Sequence, residues 1–96
     1  MIYFARCGRD GPIKIGHTTT GVAARISFLQ VGCPWQLFVI GTMCGDLQAE
    51  ADLLARFSHL NVRGEWFHPT AELLSFIEAN AEDAVKEAPR RVVVPI

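Results

Sequence analysis

Three consecutive stretches set the fold: Met1-Ile2-Tyr3-Phe4-Ala5-Arg6-Cys7, then Gly8-Arg9-Asp10-Gly11-Pro12, then Ile13-Lys14-Ile15-Gly16-His17-Thr18. The first alternates aliphatic and aromatic residues up to Gly8 and reads as a strand. The second is dense in turn formers. Ile13 to Gly16 reads as a second strand, so the chain opens with a β-hairpin. Side chains alternate across a strand. Ile2 and Phe4 therefore share one face with Ile13 and Ile15, the expected core side, while Tyr3 and Lys14 point to the opposite face.

Downstream, the hydroxyls of Thr18-Thr19-Thr20 offer N-caps for a helix from Gly21 to about Val31, with Gly32 as C-cap and Pro34 blocking continuation. Trp35 to Cys44 is rich in aromatic and branched residues and predicts a third strand. Asp46 caps a second helix expected through roughly Ser58. A loop with Arg63-Gly64 leads to Glu65-Trp66-Phe67, and Pro69-Thr70 opens a third helix that fades between Asn80 and Ala88. The expected architecture is α/β (α+β): a small antiparallel three-stranded sheet flanked by helices, in the order β-β-α-β-α-α. One domain over 1–88 is expected, with 89–96 as a C-terminal tail, loose or paired at a sheet edge.

Half of the 96 residues are hydrophobic, enough for one core. The net charge of −1 argues against a strong autonomous DNA binder, since phosphate neutralisation supplies most non-specific affinity. A local positive patch on a neutral protein is compatible with it. Cys7, Cys33 and Cys44 are odd in number and form no CxxC pair, which argues against a disulfide framework or a structural zinc site. They are expected to be half-buried thiols. Arg6, Arg9 and Asp10 do not suit a signal peptide, and the apolar run Leu37 to Ile40 is too short to span a bilayer, so the expectation is an intracellular, cytoplasmic protein that does not enter membranes.

Functional signals come from polar residues where periodicity expects apolar ones. Val22, Ile26 and Leu29 mark the first helix's buried stripe, and Arg25 borders it. Arg25 reads equally as a snorkelling side chain or as a functional cation. In the second helix Leu47, Leu54 and Phe57 stand at i−3, i+4 and i+7 from Glu50, centring that carboxylate on the apolar face. An unpaired buried charge costs several kcal/mol. Glu50 therefore needs either a structural arginine, Arg25 or Arg56, or a hydrated Mg²⁺ held by one carboxylate. Tyr3 by itself is an ordinary sheet tyrosine, Lys14 a solvated charge and His17 a histidine past the second strand. His59 and His68 carry no specific signal.

The order Ile2-Tyr3-Phe4, Lys14-Ile15-Gly16-His17-Thr18, Arg25, Glu50 resembles the GIY-YIG nuclease superfamily. The likeness is nearest to its small phage and microbial branch, whose second motif reads KIG. Leu29-Gln30-Val31-Gly32-Cys33-Pro34, the Glu50-to-Phe57 segment and Gly64-Glu65-Trp66-Phe67 extend the likeness over roughly residues 1 to 78. The resemblance implies that Tyr3 activates the attacking water and that Lys14 takes the place of the second motif's tyrosine. His17 would stand near the phosphate, Arg25 would stabilise the phosphorane's charge, and Glu50 would be the sole protein ligand of Mg²⁺ or Mn²⁺. Three positions depart from the pattern: Met1 replaces the first-motif glycine, Leu54 a common histidine and Asn61 a common arginine.

The expected function is thus metal-dependent hydrolysis of DNA phosphodiesters by an endonuclease with weak DNA binding and low intrinsic specificity. The alternative is a weakly active or inactive module of the same fold, binding nucleic acid or a partner protein. Val92-Val93-Val94 offers a possible edge strand for self-association.

Overall fold

The alternation in the opening hairpin becomes antiparallel pairing between β1 (Ile2–Cys7) and β2 (Ile13–His17), with Tyr3 opposite Gly16, Phe4 opposite Ile15 and Ala5 opposite Lys14. The computed structural model describes residues 1–82. Beyond the hairpin follow α1 (Val22–Gln30), β3 (Leu37–Met43), α2 (Leu47–Arg56), a 3-10 turn at Ser58–Leu60, β4 (Asn61–Arg63), β5 (Trp66–Phe67) and α3 (Ala71–Asn80).

Among the described residues the sheet has five strands, all antiparallel, in the order β3-β1-β2-β5-β4, which corrects the expected three. The segment read as a loop supplies the extra two. Phe67 pairs with Ile13 and Trp66 with Lys14, so the edge of β2 gains ladder partners in place of open backbone groups. Gly64 makes the β4–β5 turn with φ 57°, and the Asn61 amide clasps it by donating to the carbonyls of Gly64 at 2.8 Å and Trp66 at 3.2 Å.

One core fills the face that alternation assigned to it. Ile2, Phe4, Ile13, Ile15 and Phe67 from the sheet meet Leu53 and Phe57 of α2 and Leu73 and Ile77 of α3. The Phe57 and Phe76 rings meet edge to face, 5.3 Å between centroids. The pairing of β1 with β3 shifts between Phe4 and Ala5, leaving Ile40 as the additional residue, and Ile40 packs against this core.

Two helix starts follow the sequence signals. Asp46 accepts a hydrogen bond from the Ala49 amide at 2.9 Å, and Thr70 accepts one from the Leu73 amide at 3.4 Å. The start of α1 does not: Gly21 is its N-cap without a side-chain bond, because the Thr18 hydroxyl instead accepts the Thr20 amide in a local turn. No residue of α1 is fully buried.

Two boundaries also move. β3 begins at Leu37 rather than Trp35, because Gln30 holds the preceding loop, donating to the Cys33 and Trp35 carbonyls and accepting from the Leu37 amide. Leu47, placed on the apolar face of α2, is 67% exposed; the buried residue there is Leu53. α3 ends at Asn80, the expected start of its fading, with Ala81 already extended, while the domain end at 88 and the tail lie outside the described residues. Among the described residues, no helix is long and apolar enough to cross a membrane.

Candidate functional site

Tyr3 is the second residue of β1, on the face away from the α2–α3 core, and it is 1% exposed rather than the ordinary half-buried sheet tyrosine. Its ring fills the space above its cross-strand partner. A Cβ built on Gly16 would lie 2.3 Å from Tyr3 Cζ and 2.4 Å from Oη. Gly16 is thus the residue that lets the phenol lie against β2, with its hydroxyl over Gly16. That hydroxyl has no hydrogen-bond partner among the described residues.

Lys14 shares this face, diagonal to Tyr3 in the register. It is not the solvated charge expected of it. Only 11% of its side chain is exposed, and Nζ donates to Glu65 Oε1 at 2.6 Å, while 42% of the Glu65 side chain stays exposed. Backbone pairing sets up this contact, since Trp66 is the ladder partner of Lys14 and the Ile15 amide donates to the Glu65 carbonyl. A lysine brought out of water needs such a counter-charge. Glu65 is the residue that the sequence reading left without a role. The available signal was a lysine inside an apolar strand, which demanded a carboxylate from somewhere.

Glu50 lies in the first turn of α2, half-buried at the edge of the apolar stripe. Burial holds its carboxyl above the usual range and the nearby Glu65 charge adds to this, while His17 and Lys14 pull the other way. Glu50 thus feels the charges of Glu65, His17 and Lys14. Asp46, one turn earlier, is held low chiefly by the Ala49 amide, with a further contribution from His17.

The structural arginines do not neutralise Glu50. Arg56 lies over the Phe57 and Phe76 rings, 5.3 and 4.7 Å from their centroids. Arg25 lies 5.5 Å from the Phe28 ring centroid, and its Nε is sealed from water without a hydrogen-bond partner among the described residues. Among those residues the ion pair is Lys14–Glu65, and His59 shares a 2.9 Å hydrogen bond with Glu72. The hairpin register puts Tyr3 and Lys14 on the face away from α2, while His17, opposite Ile2, lies on the face that α2, the helix carrying Glu50, covers. No bond or ion pair among the described residues ties Arg25 to them.

The carboxylates do not form a cage: among the described residues, no three His, Cys, Asp or Glu side chains are placed to hold a metal. A single half-buried carboxylate without an arginine partner suits a hydrated divalent ion carrying most of its own water. Asn61 clasps the β4–β5 turn, and Leu54 packs against the core. Comparison with protein-family models, with curated proteins and with solved structures gives no match for this chain.

Proposed function

We propose that this chain is a metal-dependent DNA endonuclease of GIY-YIG type, hydrolysing phosphodiesters at a site that draws on Tyr3, Lys14, His17, Arg25 and Glu50. The observation that carries this reading is Glu50: half-buried, raised in pKa and without an arginine partner among the described residues. Arg56 of the same helix stacks on Phe57 and Phe76.

In this reading the Tyr3 oxygen orients the attacking water and takes its proton, passing the phenol's own proton to solvent, as the new oxygen–phosphorus bond forms. Arg25 offers the terminal nitrogens of its guanidinium to the phosphate oxygens as negative charge builds on them. His17 stands ready to donate a proton to the departing oxygen as the old bond breaks. Lys14 adds positive charge beneath Tyr3, moderated by Glu65. Glu50 is the one protein ligand of a hydrated Mg²⁺ or Mn²⁺, which would supply further charge stabilisation at the phosphate. With a net charge of −1, affinity for DNA is weak and sequence preference low.

A second reading rests on one observation. The Lys14–Glu65 pair withdraws a cation from the site, which fits a binding module that has lost turnover. Supercoiled plasmid incubated with the protein and Mg²⁺ or Mn²⁺ separates the two. Nicking by the wild type that Glu50→Ala abolishes supports the enzyme. DNA retention without nicking under either metal supports the binding module.

A further inference from the structure

The end of the sheet opposite the Tyr3–Gly16 pair holds a second chemistry. Cys7 closes β1, and Cys33 sits in the loop between α1 and β3. Their sulfurs are 3.7 Å apart although 26 positions separate them in sequence. Both thiols are half-buried, whereas Cys44 is exposed, which departs from the three equivalent half-buried thiols expected of the sequence. The loop carrying Cys33 is fixed from both sides. The Cys33 amide donates to the Gln30 carbonyl at 3.1 Å, and the Gln30 amide donates back to the Cys33 carbonyl at 3.3 Å. A shallow hollow of about 250 Å³, lined by Cys7, the turn at residues 8–12 and Trp35, opens beside Cys7, and Cys33 is itself only half-buried, which leaves it open to a small reagent.

From this geometry we infer that Cys7 and Cys33 form a reversible dithiol–disulfide couple that clamps the C-terminal end of α1 onto the end of β1. A disulfide needs its sulfurs about 2 Å apart, so closing the gap requires side-chain rotation and a small loop movement. The oxidant is a low-molecular-weight disulfide such as oxidised glutathione. Cys33, as thiolate, attacks one sulfur of that reagent and expels the first small thiolate. Cys7 then gives up its proton and attacks Cys33 Sγ in the mixed disulfide, expelling the second. Two protein thiols are oxidised, one reagent disulfide is reduced to two thiols, and the released protons go to those leaving groups.

Burial, and then the adjacent Cys33, push the Cys7 thiol up to about 11, so closure is slow at neutral pH and quickens as the solution becomes more alkaline. The clamp matters for α1 in particular. That helix has no fully buried residue to anchor it and carries Arg25, while β1 carries Tyr3. Oxidation therefore restricts how these two elements move against each other.

The test uses the full-length wild type, unfolded in acid after treatment with oxidised glutathione and then mass-analysed. The expected product is lighter by two hydrogens, retains one alkylatable thiol that maps to Cys44, and reverts with dithiothreitol. Its Tm should be higher by roughly 5–15 °C, from cross-linking a loop of this length. Stable glutathione adducts on Cys7 or Cys33, independent reaction of all three thiols, or an unchanged Tm in the bridged product would overturn the inference. Repeating the treatment on Cys44→Ser, which leaves the pair intact, should give the same loss of two hydrogens; its disappearance there would equally overturn it.

Discussion

The ring of Tyr3 occupies the space that any side chain at position 16 would need. This ties the two hairpin motifs together physically: the glycine is there for the tyrosine. Gly16→Ala should displace the phenol and destabilise the fold by about 1–3 kcal/mol, as overpacking does. Tyr3→Phe keeps the ring and should change stability far less, while removing the hydroxyl. Thermal unfolding of both variants beside the wild type checks this ordering. Equal stability losses would mean that the Tyr3 ring does not govern position 16.

Glu65 neutralises a lysine that is almost wholly enclosed. Breaking a buried ion pair from one side leaves the other charge stranded, a loss of about 3–5 kcal/mol when both partners are enclosed. Glu65 is 42% exposed, so water partly replaces it and the expected loss for Glu65→Gln is nearer ~1–2 kcal/mol. The same change removes a charge that raises the Glu50 pKa, so the Glu50 carboxyl should titrate lower in the variant. Urea unfolding and a carboxyl NMR titration read the two effects separately.

Glu50 itself should make the fold pH-sensitive in a direction opposite to most carboxylates. Its folded pKa lies above the ordinary value of 4.5, so ionisation favours the unfolded chain. Its contribution is fully present below the ordinary value and is lost as pH rises through the raised folded value. Glu50→Gln should therefore unfold at a higher temperature than the wild type at pH 7, and the difference should vanish by pH 4. A Tm lower than wild type at pH 7 would mean that Glu50 is structurally paired.

Arg25 should separate stability from function. Its buried, unpartnered Nε costs the fold something that Arg25→Met removes, at the loss of a modest interaction with the exposed Phe28 ring. The net change in unfolding free energy should stay within about 1 kcal/mol of zero. Plasmid nicking, where the wild type nicks, should nonetheless fall by a factor of about 100 or more, as for loss of an oxyanion donor. A large stability loss with proportionate activity would make Arg25 a structural residue.

Much of this architecture is written in local patterns, and what is not has identifiable causes. Ile2, Phe4, Ile13 and Ile15 alternate strictly enough to assign the core face, and Asp46 and Thr70 announce their helices. The β4–β5 hairpin was illegible because strands of three and two residues carry no period. On α2, Leu47 and Leu54 defined a stripe through Glu50, but the helix turns Leu53 inward, leaving Glu50 at the border rather than at the centre. Most of the candidate site could be named from motif order, yet its electrostatics could not. Lys14 and Glu65 are 51 positions apart, and only the pairing of β5 with β2 brings them together.

The central claim is that Tyr3 and Glu50 serve one phosphodiester-cleaving site, and a double-mutant cycle on the single-turnover nicking rate tests it most directly. Residues that act as a unit lose most of their effect together. With supercoiled plasmid and Mn²⁺, Tyr3→Phe and Glu50→Ala should each slow nicking by about two orders of magnitude or more, and the double variant should be scarcely slower than the worse single one. Nicking that survives unchanged in either folded variant, or losses that multiply in the double, would contradict it.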